Sequence, residues 1–315
     1  MKRIAIVAIV ASLLGSPQAS SEPIRTLAGH EAAVYAVAFS PDGRTLATAG
    51  FDRVVSFWQV ASGRRLHKLT GHQAKVVCLA FDAAGKKLAS ADTAGKICLS
   101  SLAGKPLRSW SAHQGCCNDV AFLRDGRLFS CGTDGLLKLW SPQGKLLSTI
   151  DVHQPGALFC LALAPAEDML AVAGLDGIVH LYALDGTPKG DLATNAGPVF
   201  SLAFSPCGRF LLAGAQSGAV LSWEVATGKL LPGGCLLGHD DPVYDVSYSS
   251  DGRRILTAGK SGLVILWDAE TREALHSQRF RGQAISATLG PEGRAIAVGT
   301  VAGSCYIDTL PMHLR

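Results

Sequence analysis

Histidines, cysteines and aspartates are the residues of this chain best able to do chemistry. His30, His72, His113, His153 and His239 recur at one spacing, with Asp52, Asp134 and Asp176 following the first, third and fourth of them. A single His–Asp pair beside a nucleophile is the framework of acyl transfer. An active site needs only one copy, so the repetition argues for a structural hydrogen bond that fixes a loop and satisfies buried polar atoms. Cys78, Asp119 and Cys160 form a second set. Thiolate and carboxylate could ligate zinc or copper, but no CxxC, HExxH or His-rich tract accompanies them, and the favoured reading is small side chains facing a wet channel. Cys116-Cys117 is an adjacent pair whose side chains alternate to opposite faces, one toward a core and one toward a rim. A strained vicinal disulfide is the alternative. No CxxCH, GxSxG or phosphate-cradling glycine loop occurs, so no catalytic residue, bound haem or other cofactor is expected.

What must position these residues is a unit written seven times. A strand ending in a large apolar residue recurs at Phe39, Phe81, Phe122, Leu163, Phe204, Tyr248 and Leu289, at intervals of 42, 41, 41, 41, 44 and 41 residues. Self-similarity at this period marks a propeller or array in which each unit buries its face against its neighbours. The first unit shows the pattern. Val34 to Phe39 alternates as an inner strand, and Ser40-Pro41-Asp42-Gly43 turns the chain. Thr45 to Ala49 is a second strand, Gly50-Phe51-Asp52 a second turn, and Val54 to Trp58 a third strand. Polar, glycine-containing segments such as Ala61-Ser62-Gly63-Arg64 lead to an outer strand. Four short strands per unit is the layout of a propeller blade.

Gly29-His30 with Trp58, Gly71-His72, Ala112-His113 with Leu139-Trp140, and Gly238-His239 with Leu266-Trp267-Asp268 resemble the WD-repeat family. The resemblance covers about residues 24 to 308. It implies an all-β, seven-bladed propeller of four-stranded blades. Pro23 to Leu27 precedes the first unit, and the last unit stops after three strands. Ile24 to Ala28 is therefore expected to supply the outer strand of the seventh blade, hiding two open sheet edges. In the family, the repeated histidine bonds an aspartate in the second-to-third strand turn and, through a Ser or Thr, a tryptophan. The matching positions are His30 with Asp52 and Trp58, and His113 with Asp134 and Trp140. His153 has Asp176 but Tyr182, and His239 has Trp267 with Ser261 in place of the aspartate. Asn195 and Phe280 occupy the histidine position in the other two units.

Family members commonly dock partners on the face carrying the histidine loops. Two exposed positions per blade are expected there. The first series is Tyr35, Val77, Asn118, Phe159, Phe200, Tyr244 and Ile285. The second is Phe51, Thr93, Thr133, Leu175, Gln216, Lys260 and Val301. Five of these fourteen are aromatic in a chain with 7% aromatic residues, so aromatic side chains concentrate at this rim. Exposed aromatic surface signals an interaction site, and Tyr35, Phe51, Phe159, Phe200 and Tyr244 are the partner-binding candidates.

The beginning of the chain differs from the rest. Lys2 and Arg3 precede an uncharged, mostly apolar run from Ile4 to Gly15, followed by Pro17 and Ala19-Ser20-Ser21. This is the layout of a signal peptide, 1–21, ahead of a single domain, 22–315. The run is shorter than the roughly 20 residues needed to span a bilayer. A periplasmic or secreted protein is expected, with no membrane association once the leader is removed. The net charge is +4, and +2 without Lys2 and Arg3, with basic residues scattered over turns. No nucleic-acid partner is expected from such a surface. The nine cysteines show no disulfide framework, and most read as small buried residues. The functional expectation is a non-enzymatic scaffold for a protein or peptide. Two alternatives stand beside it: an accessory protein to a periplasmic redox system such as a c-type cytochrome or metalloenzyme, and a propeller that binds a metal or cofactor in its channel.

Overall fold

The structure, a computed structural model, describes residues 24–152 and 156–310. The proposed leader 1–21 with its cleavage site, and His153, lie outside them. Among the described residues every element is a β-strand, and 28 strands form seven four-stranded antiparallel sheets. The first sheet runs Val34–Phe39, Thr45–Gly50, Val55–Gln59 and Arg65–Leu69 from the axis outward, and the next five repeat that order. The second strand of each sheet is almost wholly buried and rich in small residues, as with Ala47 and Ala49, Ala171 and Ala173, or Ala213 and Ala215. Small side chains there let neighbouring blades stack face to face, and the apolar clusters run across the joints rather than staying within one sheet.

The seventh sheet is closed as the sequence suggests. Its inner strands are Ala284–Leu289, Ala295–Thr300 and Cys305–Thr309, and its outer strand is Arg25–Leu27. Arg25 stands opposite Ile307, Thr26 opposite Tyr306 and Leu27 opposite Cys305. Leu27 is buried in a cluster with Val34, Leu46 and Trp58 of the first blade and Cys305 and Ile307 of the last. The Arg25 guanidinium donates to the Val60 and Ala61 carbonyls at 2.7 and 2.9 Å, so the closing strand also grips the first blade.

One irregularity is repeated in all seven blades. The pairing of first and second strands slips by one residue between Val34 and Ala36, and the same slip falls at Val76/Cys78, Cys117/Asp119, Leu158/Cys160, Val199/Ser201, Val243/Asp245 and Ala284/Ser286. Each slip is a β-bulge, and the extra residue is the first rim position: Tyr35, Val77, Asn118, Phe159, Phe200, Tyr244 or Ile285. A bulge re-aims a side chain that strict alternation would send away.

Leu27→Ala should destabilise the protein by about 2–5 kcal/mol, the usual loss for emptying a core leucine site. Leu107→Ala, on an exposed outer strand, should cost far less. Equal denaturation midpoints for the two variants would show that the closing strand does not hold the ring.

Candidate functional site

The seven bulges converge on one end of the central channel. Each bulged residue and the residue after it line the same cavity of about 570 Å³, so two consecutive side chains of every inner strand face it. The outer ring of the cavity is the bulged series. Its aromatic members touch one another: Phe159 stacks on Phe200 with centroids 5.8 Å apart, and Phe200 meets Tyr244 edge-on at 5.5 Å. Across the mouth Tyr35 stacks on Phe51 at 5.1 Å, and the Lys75 ammonium sits 4.4 Å from the Phe51 ring centroid. These contacts leave all five candidate rings half-buried rather than exposed as expected. The other six members of the second series are exposed, Leu175 at 51% and Val301 at 44% among them. Burial, and then the nearness of Cys116 and Tyr244, raises the Tyr35 phenol above its usual range and keeps it a neutral donor.

The inner ring of the cavity holds Ala36, Cys78, Asp119, Cys160, Ser201, Asp245 and Ser286. Their side chains bridge the blades. The Leu161 N–H donates to Asp119 at 2.9 Å, the Val246 N–H to Ser201 at 3.1 Å, the Ala287 N–H to Asp245 at 2.9 Å and the Val37 N–H to Ser286 at 3.3 Å. Each bond runs from one blade's channel residue to the next blade's backbone. The Ser201 hydroxyl also donates to Asp245 at 3.0 Å. Cys78 donates its thiol to Asp119 at 3.1 Å, and Cys160 points at the Ala173 and Val199 carbonyls. The joint between the first and second blades lacks such a bridge because Ala36 carries no polar atom. Cys78, Asp119 and Cys160 therefore do not converge as ligands, and among the described residues no three such side chains form a metal set. Burial, and then the charge of Asp119, pushes the Cys78 and Cys160 thiols well up, which keeps them protonated as donors. All nine cysteines are free; Cys117 is buried in the core while Cys116 lines the mouth.

The repeated histidines lie behind this mouth. In the first blade His30 places Nδ1 2.8 Å from Asp52 and Nε2 2.7 Å from the Thr48 hydroxyl, which also accepts the Trp58 indole N–H at 2.8 Å. In the third blade His113 repeats the wiring with Asp134 at 2.7 Å, Ser130 at 2.8 Å and Trp140. A carboxylate only accepts, so Nδ1 carries the proton and the hydroxyl donates to Nε2. Burial lowers the affinity of His72 and His113 for a second proton and keeps both rings neutral. His72 reaches Asp92 at 2.7 Å and Ser90 at 2.7 Å. Asp92 went unread in the sequence because it occupies the strand-end position that is Gly50 or Gly132 in other blades, two residues before the expected turn. Asp176, expected beside His153, contacts His180 at 2.9 Å, whose other nitrogen meets Asp191 at 2.8 Å. In the sixth blade His239 bonds Thr257 at 2.8 Å, but Ser261 does not reach it, and Nδ1 is buried without a partner. Burial pushes that ring's pKa down to about 4. Phe280 replaces the histidine in the last blade by packing on Tyr306 at 5.1 Å.

A fold of this kind invites comparison with known proteins. The family model described as "WD domain, G-beta repeat" matches residues 21–59, 63–99, 104–141, 144–183, 186–224 and 232–268. The chain belongs to the WD-repeat family. The seventh WD unit, with Phe280 at the histidine position and Asp308 at the tryptophan position, lies beyond those matches. The chain is similar to telomerase protein component 1 of Rattus norvegicus, 30% identical over 212 residues, which are 63% of this chain and 8% of that protein. It is 24% identical to the WD repeat-containing protein 26 homolog of Arabidopsis thaliana over 213 residues, 65% of this chain and 36% of that protein. A 48-residue stretch is 52% identical to the U5 small nuclear ribonucleoprotein 40 kDa protein of Homo sapiens, covering 15% and 13% of the two chains. The chain thus spans far less than two thirds of each of these relatives, and the similarity carries the WD repeat rather than a whole protein's activity.

Two outcomes follow from these WD networks. Ser261→Asp should supply the missing carboxylate to His239 and stabilise the protein by about 1 kcal/mol, the worth of one hydrogen bond; an unchanged or lower denaturation midpoint would refute the wiring. Burial also raises the Asp119 and Asp245 carboxyls from 3.8 to about 6. The folded state therefore holds protons that the unfolded chain has released. This contribution to stability is fully present below about pH 3.8 and is lost as the pH rises through about 6. A variant carrying Asp119→Asn and Asp245→Asn should show a flatter fall in melting temperature across that window than the unaltered protein, and an identical slope would contradict the assignment.

Proposed function

We propose that this protein is a non-enzymatic interaction platform that docks a protein or peptide at the bulged end of its channel. The observation that carries the reading is the sevenfold bulge. It turns seven side chains out of the blades, four of them aromatic, and with Phe51 these set five aromatic rings around one cavity, an arrangement that blade packing does not require. Clustered aromatic side chains with a surrounding rim are the anatomy of an interface hot spot. The exposed Leu175 and Val301 extend the apolar area outward from the cavity. Two carboxylates and no basic side chain line the cavity, which favours a polypeptide over a phosphate backbone. We place the platform in the periplasm or outside the cell on the strength of Lys2-Arg3 and the apolar run Ile4 to Gly15.

Affinity purification of the tagged protein from a periplasmic extract, read by mass spectrometry, tests the reading. A c-type cytochrome or other redox protein is one partner class to look for among the products. Phe200→Ala and Tyr35→Ala should each weaken a captured partner by about tenfold or more, while Leu107→Ala on the side wall should not. Retention of every partner by both aromatic variants would remove the mouth as the docking site.

A further inference from the structure

The outer wall of the ring is made of the outermost strand of each sheet, and no described strand pairs with its outward edge. An open edge offers a row of N–H and C=O groups to any extended chain, and proteins blunt it with lysine, arginine or proline. Six of the seven outermost strands carry such residues. Arg65–Leu69 has Arg65 and Lys68, Pro106–Ser111 has Pro106 and Arg108, and Pro188–Ala193 has Pro188 and Lys189. Lys229–Leu236 begins on Lys229, Ala274–Arg279 ends on Arg279, and Arg25–Leu27 begins on Arg25. The third blade is the exception. Its outer strand, Leu146–Asp151, reads Leu-Leu-Ser-Thr-Ile-Asp, with neither a cation nor a proline. Leu146 and Leu147 are 45% and 48% exposed, and Thr149 is exposed as well. The pairing slip beside Leu147 recurs on the outer strands of the first, second, fourth and sixth blades, so it does not stand in for the missing guard.

Charges flank the apolar run, and their signs differ. Exposed Lys145 precedes it and exposed Asp151 ends it. Two copies of this strand laid side by side and antiparallel bring the lysine end of each beside the aspartate end of the other. Parallel pairing would set like charges together. The strand is thus its own complement, and the occupant it fits is a second copy of this chain. We propose that Leu146–Asp151 is the contact of a two-fold dimer, in which this edge pairs with the same edge of the second copy and joins two four-stranded sheets into one. Main-chain hydrogen bonds make the pairing, Leu146, Leu147 and Ile150 cover one another across it, and Lys145 meets Asp151 of the second copy at both ends. A single strand edge is smaller than a standard interface, so the dimer is weak and reversible. The channel mouth belongs to the inner strands and stays open, so the dimer presents two mouths to a partner with two copies of its epitope.

Sedimentation velocity of the full chain over a concentration series tests the proposal. The unaltered protein should pass from monomer to dimer as its concentration rises to about 100 µM, and stop there. Lys145→Glu makes both ends of the contact doubly acidic, and Asp151→Lys makes both doubly basic. Each variant alone should associate roughly tenfold more weakly than the unaltered protein. Mixed in equal amounts, the two variants should dimerise again, because the new glutamate then meets the new lysine while the native Asp151 and Lys145 meet at the other end. Leu147→Lys, at an exposed position that leaves the core intact, should also abolish the dimer. A monomer throughout the series would overturn the proposal. So would growth past the dimer into larger species, a mixture that stays monomeric, or a dimer indifferent to Leu147→Lys.

Discussion

Everything in this molecule depends on the requirement that both faces of every blade be covered. A four-stranded sheet whose second strand carries apolar side chains on both faces cannot stand in water alone. In an open row of such sheets, two faces and two edges would remain wet. The chain meets the requirement by taking its last strand from its beginning, Arg25–Leu27 beside Cys305–Thr309. Closure then dictates the axis. Seven innermost strands converge, and what they present inward must be small enough to fit and polar enough to meet water. The inner ring from Ala36 to Ser286 answers both demands.

Two consecutive residues per blade divide the work at that axis. In every blade but the first, where Ala36 has no polar atom, the second residue of the pair ties its blade to the next, through a carboxylate, a hydroxyl or a thiol. The first, displaced by the bulge, takes no partner in the ladder between first and second strands. The histidine networks form another layer, fixing the loops that frame the mouth from behind. Their protons are arranged by elimination: a carboxylate on one side of the ring leaves the other nitrogen as an acceptor. Stability and recognition are thus built from neighbouring residues with separate duties.

Much of this was legible in the sequence, and the limits are physical. The period fixed the number of blades, and the unmatched segment around Arg25–Leu27 betrayed the closure, because a strand without a sheet must find one. The wiring of His30 and His113 followed from position. Asp92 escaped because a side chain can reach one histidine from either of two backbone sites, and spacing alone does not say which. The bulges escaped for a deeper reason. An extra residue leaves no mark on a pattern of period two until the partner strand is known. Without the bulge, Tyr35 and Ala36 would have been assigned to opposite faces, and the exposure expected of the aromatic series overlooked that the rings would find one another. Cys78, Asp119 and Cys160 were placed on the channel, but only the folded chain reveals that each also hydrogen-bonds to a neighbouring blade.

The bulge has a consequence for how such a protein can change over generations. A residue with no ladder partner and no place in the buried second-strand layer can be exchanged without disturbing its blade. Phenylalanine, tyrosine, valine, isoleucine and asparagine already occupy the same backbone site in different blades of this one chain. The seven positions act as an interchangeable alphabet set into an inert frame, so a lineage can rewrite what the ring recognises one letter at a time while the ring itself stays fixed.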